Sequence, residues 1–257
     1  RVVQPDRNDP TKITPILAES WQADPAAKTL TIKLKSDAKF ASGNPVRPED
    51  VIYSYVRAVT LNKSGAFILN VLGWQPENIA SQLKKIDDHT VQVQWSADVS
   101  PALALNILST PIASIVDEKL VAPNAKNNDF GNEWLKMHSA GSGAFKMRTY
   151  QPHQAIVMEA NASSPTGAPK LKSVIIKNVP DPATRRLLLQ QGDADMARDL
   201  GADQIDALQG KPGVKVMSIA SAEQNYLAFN TGNKDNPLMS NPAFWEAARW
   251  LVDYDGI

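Results

Sequence analysis

Apolar residues recur along this chain in two different periods, every second position in some stretches and at helical spacing in others, so strands and helices must be mixed along it. Leu30, Ile32 and Leu34 alternate with Thr31 and Lys33, the pattern of a half-buried strand. Ala41-Ser42-Gly43-Asn44-Pro45 is turn chemistry. Pro48-Glu49-Asp50 then places Pro and two acids in a first helical turn, where the missing N–H is no loss and the helix dipole favours negative charge. That start predicts a helix through Val51, Tyr55, Val56 and Val59.

The same two periods continue. Val91, Val93 and Trp95 predict a strand, and Pro101 to Leu108 a short apolar helix. Phe145, Met147 and Thr149, followed by Ile156 and Met158 across Gln151-Pro152-His153-Gln154, predict an antiparallel hairpin with a loop longer than two residues. Val174 to Val179 reads as a strand. Asp181-Pro182 reads as a helix cap and first position, with the helix stopping at Gly192. A short helix is expected over Gly201 to Leu208, strands over Val214 to Ile219 and Asn225 to Phe229, and a last helix from Asn241-Pro242 through Leu251. No internal repeat or low-complexity tract divides the chain.

Composition narrows the function. With 257 residues and 43% apolar side chains the chain has enough material for a core without staples, and it contains no Cys. Zinc-thiolate sites, iron–sulfur clusters and Cys nucleophiles are therefore excluded. Lys plus Arg equals Asp plus Glu at 27 each, so the chain lacks the cationic field that carries nucleic-acid binding or attraction to anionic membranes. The most apolar region, Ala102 to Val116, is broken by Asn106 and Pro111, so no membrane insertion is expected. Arg1 to Pro10 has neither an initiating Met nor a signal-peptide core, and Leu251 to Ile257 stops just after a helical pattern. Further sequence is expected at both ends.

Reactive chemistry is sparse. His89, His138 and His153 pair with no carboxylate or second His at metal-ligand spacing, and each reads as a surface or loop residue. Gly141-Ser142-Gly143 is flanked by Ala140 and Ala144, so it fails as a nucleophile elbow, and Lys146 stands where a dinucleotide loop needs its third Gly. It reads as a tight turn entering the strand at Phe145. Asp193, Asp195 and Asp199 with Arg198 form the densest ionisable cluster, which two-carboxylate hydrolysis could in principle use. A solvated turn is the simpler reading. Gln224-Asn225-Tyr226, two amides and an aromatic, suits a polar ligand as well as an ordinary strand entry.

Several segments, taken together, resemble the family 5 extracellular solute-binding proteins, the peptide-binding and nickel-binding class that feeds ABC importers. Pro15-Ile16-Leu17-Ala18-Glu19-Ser20-Trp21 is similar to the family's P-x-L-A-E-S-W, and Ala38 to Val46 to its V-K-F-S-D-G-T-P loop, here with Arg47 where a Thr helix cap is usual. Gly141 to Lys146 resembles G-T-G-P-Y-K, Ile156 to Asn161 resembles I-V-L-E-R-N, and Gln191 to Asp195 resembles the G-E-I-D turn. Pro180 to Arg185 and Tyr226 to Thr231 resemble a helix start and a crossing strand of the family. The likeness is collinear along essentially the whole chain.

The resemblance implies an α/β, type II periplasmic-binding-protein fold, incomplete, comprising the first lobe and its inserted subdomain. Residues 13–138 would be the inserted subdomain, 139–234 with 1–12 the ligand-contacting core of that lobe, and 235–257 the start of the second lobe. It implies a periplasmic or extracellular binding protein that captures a peptide or similar small polar solute and hands it to the membrane subunits of an ABC importer by hinge closure. A metal chelate or haem is the alternative cargo, and an Asp-dependent hydrolase the rival class. No enzyme activity, cofactor or metal is expected. Ligand contacts are expected from Arg198, Asp199, Gln224, Asn225 and Tyr226 on one side of the lobe. Phe67 should face the same opening, with Ala66 as the other candidate for that aligned position.

Overall fold

In the computed structural model, which describes residues 1–6, 8–218 and 226–254, the chain forms two units, Arg1–Pro180 and Asp181–Ile257. The first begins with a small antiparallel pair, β1 (Val3–Pro5) and β2 (Ile13–Pro15). Four antiparallel strands follow in the order β3-β4-β6-β5: β3 (Ala18–Asp24), β4 (Thr29–Leu34), β5 (Leu83–Lys85) and β6 (Thr90–Gln94). The alternation read in the sequence sets the face. Leu30, Ile32 and Leu34 of β4 and Val91 and Val93 of β6 are buried, whereas Lys33 and Gln94 are exposed.

Helix α1 (Pro48–Leu61) joins this core through Val51, Tyr55 and Val59, buried at the expected helical spacing. Three apolar side chains per two turns against an apolar sheet is the arrangement that stabilises a helix in water, since propensity alone does not. Trp74 caps the core: its ring lies 5.7 Å from that of Tyr55, and its Nε1–H donates to the Gln94 carbonyl at 2.7 Å. Around it pack α2 (Ala66–Asn70) and α3 (Pro101–Leu108), the latter capped by Ser100, whose Oγ accepts from Leu103 N at 3.2 Å.

The start of α1 carries a buried polar network. Asp50 is fully buried, and its carboxylate accepts from Arg47 N at 2.8 Å, from the Arg47 guanidinium at 3.2 and 3.3 Å, and from Glu118 N at 3.0 Å. Arg47, a donor only, does not act as a hydroxyl cap: the third helical residue, Asp50, reaches back to the backbone N–H of the capping position, and its own N–H donates to the Arg47 carbonyl at 3.1 Å. The Arg47 guanidinium also donates to Glu118 Oε2 at 3.2 Å, at the start of α4 (Glu118–Val121). Ser54 Oγ donates to the Asp50 carbonyl and accepts from Val116 N. Asp117, also buried, accepts from Ser42 Oγ at 2.6 Å, Asn44 Nδ2 at 2.9 Å and Leu120 N at 3.3 Å.

After α5 (Asn132–Leu135) the chain crosses to a second sheet, β7 (Phe145–Gln151), β8 (Ala155–Ala160) and β9 (Ser173–Lys177), antiparallel throughout. The expected hairpin is present, with a register shift between Met147 and Thr149. Gly141-Ser142-Gly143 is not the tight turn its glycines suggest. The passage runs without a hydrogen-bonded turn to a bend at Gly143-Ala144, because its carbonyls are taken by distant partners: Gly141 O by Ala41 N, Gly143 O by Asn161 Nδ2, and Ala144 O by Asn161 N. Among the described residues no strand residue of this sheet is fully buried.

The second unit contains α6 (Pro182–Gln191), α7 (Ala202–Asp206) and α8 (Pro242–Leu251). Asp181 caps α6, and the backbone and hydroxyl of Thr184 hold its carboxyl below the usual carboxylate range. Gly192, at φ 82°, ends the helix as expected. The strands expected over Val214 to Ile219 and Asn225 to Phe229 are not formed at 214–218 or 226–229, and residues 219 and 225 lie outside the described residues. Alternation marks a surface that fits a sheet, and no described strand lies alongside to accept the ladder bonds.

Two substitutions test this core, with a third at the surface as control. Asp50→Ala leaves the backbone N–H groups of Arg47 and Glu118 without their side-chain acceptor and the Arg47 guanidinium paired with Glu118 in place of two carboxylates, and should lower unfolding free energy by about 3 kcal/mol, whereas Lys33→Ala, which removes an exposed ion pair with Glu19, should cost less than about 1 kcal/mol in the same urea titration. Tyr55 Oη is buried without a hydrogen-bond partner, and burial pushes its phenol above the ordinary tyrosine value. Tyr55→Phe should therefore match or exceed the parent in thermal stability, and a loss above about 1 kcal/mol would contradict the unpartnered hydroxyl.

Candidate functional site

The residues singled out for ligand contact fall in both units. Ala66 and Phe67 open α2, a helix of five residues that follows Gly65 at φ 90°. Ala66 is fully buried while Phe67 is 70% exposed, so of the two only Phe67 presents a side chain to solvent. Leu69, buried on the same helix, packs into the core and leaves Val71, four residues beyond Phe67, exposed on the same face.

In the second unit, Arg198 and Asp199 lie in the irregular segment between α6 and α7, both exposed. Asp199 sits at φ 56°, the left-handed region that acidic residues enter more readily than most, and its carbonyl accepts from Arg185 Nη2 at 2.7 Å. That bond ties the segment to α6. Tyr226 is 82% exposed, and Gln224 and Asn225 lie outside the described residues. Asp193 and Asp195 are exposed, with Asp193 N donating to the Leu188 carbonyl at 2.9 Å as the chain leaves α6. They occupy the solvated turn read from the sequence.

Each histidine is exposed. His89 follows Asp87, whose carboxylate accepts the His89 N–H at the β5–β6 turn, and His153 takes φ 61° at the tip of the β7–β8 hairpin. His138 stacks on Trp134 with ring centroids 4.3 Å apart and shares a hydrogen bond with the Trp134 carbonyl. Among the described residues no three His, Asp or Glu side chains are grouped to hold a metal ion, and no helix is long and apolar enough to cross a membrane.

Sequence reading missed the bonds that hold the chain just beyond α2. Leu72 O accepts from Ser96 N at 3.2 Å, and Gly73 O accepts from Asn78 Nδ2 at 2.9 Å and Ser96 Oγ at 3.4 Å. Gly73-Trp74 was the available signal, a Gly beside a large aromatic. Surface depressions of about 240 Å³ (Glu246, Arg249, Trp250, Val252, Tyr254) and about 230 Å³ (Tyr53, Ala122, Ala125, Asn128, Phe130) lie among the described residues, and neither includes the residues above.

Comparison with known proteins gives one consistent answer. The model for "Bacterial extracellular solute-binding proteins, family 5 Middle" matches residues 12–257. The "Probable D,D-dipeptide-binding periplasmic protein DdpA" of Escherichia coli is 32% identical over 241 residues, covering 94% of this chain and 44% of that protein. "Heme-binding protein A" of Haemophilus influenzae is 26% identical over 262 residues, covering 96% and 46%. A solved structure of a nickel ABC transporter protein from Bacillus halodurans superposes with a TM-score of 0.69 at 26% identity, covering all of this chain and 48% of that one. The chain thus spans about half the length of the relatives it matches.

Exposure of the acidic cluster makes a direct prediction. Asp193→Asn and Asp195→Asn should each change stability by no more than about 0.5 kcal/mol, and esterase, peptidase and glycosidase assays should give no turnover for either variant to abolish. Reproducible hydrolysis lost in one of them would overturn the solvated-turn reading.

Proposed function

Because the chain belongs to the family 5 bacterial extracellular solute-binding proteins, we propose that it captures a short peptide or similar small polar solute outside the cytoplasm and presents it to an ABC importer. The observation that carries the peptide reading is the 32% identity over 241 residues with the D,D-dipeptide-binding relative, which favours a dipeptide. No covalent step is required of such a protein. Ligand held from both sides stabilises a closed arrangement over an open one, and a transporter that recognises the closed form reads ligand occupancy.

Within this proposal residues 13–138 are the inserted subdomain, 139–234 with 1–12 the ligand-contacting core, and 235–257 the start of the second lobe. Phe67 supplies an aromatic contact, with Ala66 the alternative at that aligned position, and Arg198, Asp199, Gln224, Asn225 and Tyr226 supply polar and aromatic contacts. Exposure of Phe67 and Tyr226 supports their assignment, since apolar rings held in water gain most from covering a ligand. The same kinship supports a periplasmic location, or an extracellular one associated with the membrane through the transporter. The haem-binding relative and the nickel transporter structure favour a second reading, a haem or metal-chelate cargo.

Calorimetry separates these. A chain extended to the length of its relatives should bind a D,D- or L,L-dipeptide at micromolar or tighter affinity. Residues 1–257 alone should bind it far more weakly, because fewer contacts then exclude water from the ligand. Tight binding of haem or a nickel chelate with no response to dipeptides would establish the second reading instead, and micromolar dipeptide binding by residues 1–257 alone would overturn the two-sided mechanism.

A further inference from the structure

A helix of five residues cannot hold its own shape in water, because nucleation consumes nearly all the hydrogen bonds it can form. The direction in which α2 points Phe67 must therefore come from its surroundings. At its start, a Cβ added at Gly65 would meet the Ile112 side chain at 3.8 Å, and Ala66 is fully buried. At its end the chain enters a knot. Leu72 O accepts from both Ser96 N and Ala97 N, Gly73 O accepts from Asn78 Nδ2 and Ser96 Oγ, and Trp74 then anchors in the core with its own bond to Gln94 O. Asn78 is itself held, its Oδ1 accepting from Gln75 N at 2.8 Å.

Gly73 is the position where this knot tolerates no side chain. Its φ is 78°, and a Cβ built there would stand 2.2 Å from Ser96 Oγ and 3.1 Å from the Ala97 backbone nitrogen. An added side chain turns the Ser96 hydroxyl away from Gly73 O, crowds the Ala97 nitrogen by a few tenths of an ångström and strains the positive φ, and each change loosens the turn that ends a helix with no rigidity of its own. We infer that Gly73, with Ser96 and Asn78, is a positioning residue for ligand binding: it clamps the end of α2 so that the Phe67 ring is presented in one fixed orientation. This inference rests on the assignment of Phe67 as a ligand contact.

The test is a double-mutant cycle in the chain extended to the length of its relatives, with D-alanyl-D-alanine and L-alanyl-L-alanine as the probes in calorimetry. Phe67→Ala should weaken binding of the dipeptide that the parent takes by roughly tenfold. Gly73→Ala and Asn78→Ala should each weaken it about threefold or more in the parent, yet add nothing in the Phe67→Ala background. Asn78→Ala adds no bulk, so it carries the test if Gly73→Ala fails to fold. A loss of the same factor in both backgrounds would overturn the inference while leaving Phe67 as a contact. No loss from Phe67→Ala, or no dipeptide binding by the parent, would overturn the underlying assignment and the inference with it. A readout without ligand is also at hand. Residues 1–257 contain no cysteine, so a spin label on Phe67→Cys reports that site alone. Its nanosecond motion should increase with Gly73→Ala and with Asn78→Ala, and unchanged motion in both would sink the clamp.

Discussion

The Asp50 carboxylate is the joint on which the first unit depends. A fully buried carboxylate is tolerable only when its lone pairs are filled, and here four N–H groups fill them, three from Arg47 and one from the backbone of Glu118, 68 residues away. Because the same residue completes the first turn of α1, the helix start, the loop before it and the start of α4 are set by one group. Asp117 repeats the device next door, drawing Ser42 and Asn44 of the preceding loop onto the cap of α4. Its backbone N–H donates to Ala140 O, and Ala41 N donates to Gly141 O, so the crossing toward the second sheet leaves from the same place.

That joint leaves the apolar face of the four-stranded sheet to α1, Trp74 and α2. The consequence for function is indirect. The buried residues on α2 turn Phe67 outward, and the clamp at Gly73 removes the freedom that so short a helix would otherwise have. A binding residue on a mobile segment loses affinity to the ordering it must undergo, and one held in place before the ligand arrives does not. The packing around α2 thereby contributes rigidity to the proposed ligand contact at Phe67.

Burial is uneven along the chain. The core of buried apolar residues draws almost entirely on positions 2–115, whereas β9 exposes Ile175 and Ile176, and α8 exposes Trp250 and Leu251. Elements with little buried apolar area hold their shape by local means. Asp181 and Asn241 cap α6 and α8 through their own carboxylate and amide oxygens, and Gly192 closes α6.

Periodicity and caps are local, and what depends on them alone was legible. The alternation of Leu30, Ile32 and Leu34, the helical spacing of Val51, Tyr55 and Val59, the apolar run from Pro101 to Leu108, and the Asp181-Pro182 and Asn241-Pro242 starts all lead to elements the structure contains. Family membership was legible too, because many weak motifs in one order constrain a chain more than any single strong one. β1, β5 and α2, of three, three and five residues, carry no clear period or cap in the sequence and went unread. The alternation at Val214 to Ile219 marked residues that form no strand over 214–218, since a strand is completed by a neighbour. Only the tertiary structure brought Asp50 to Glu118, Asn161 to Gly143 and Gly73 to Ser96. Such bonds join residues separated by long loops, and nothing in the spacing of side chains along a chain records which distant backbone group will arrive to meet them.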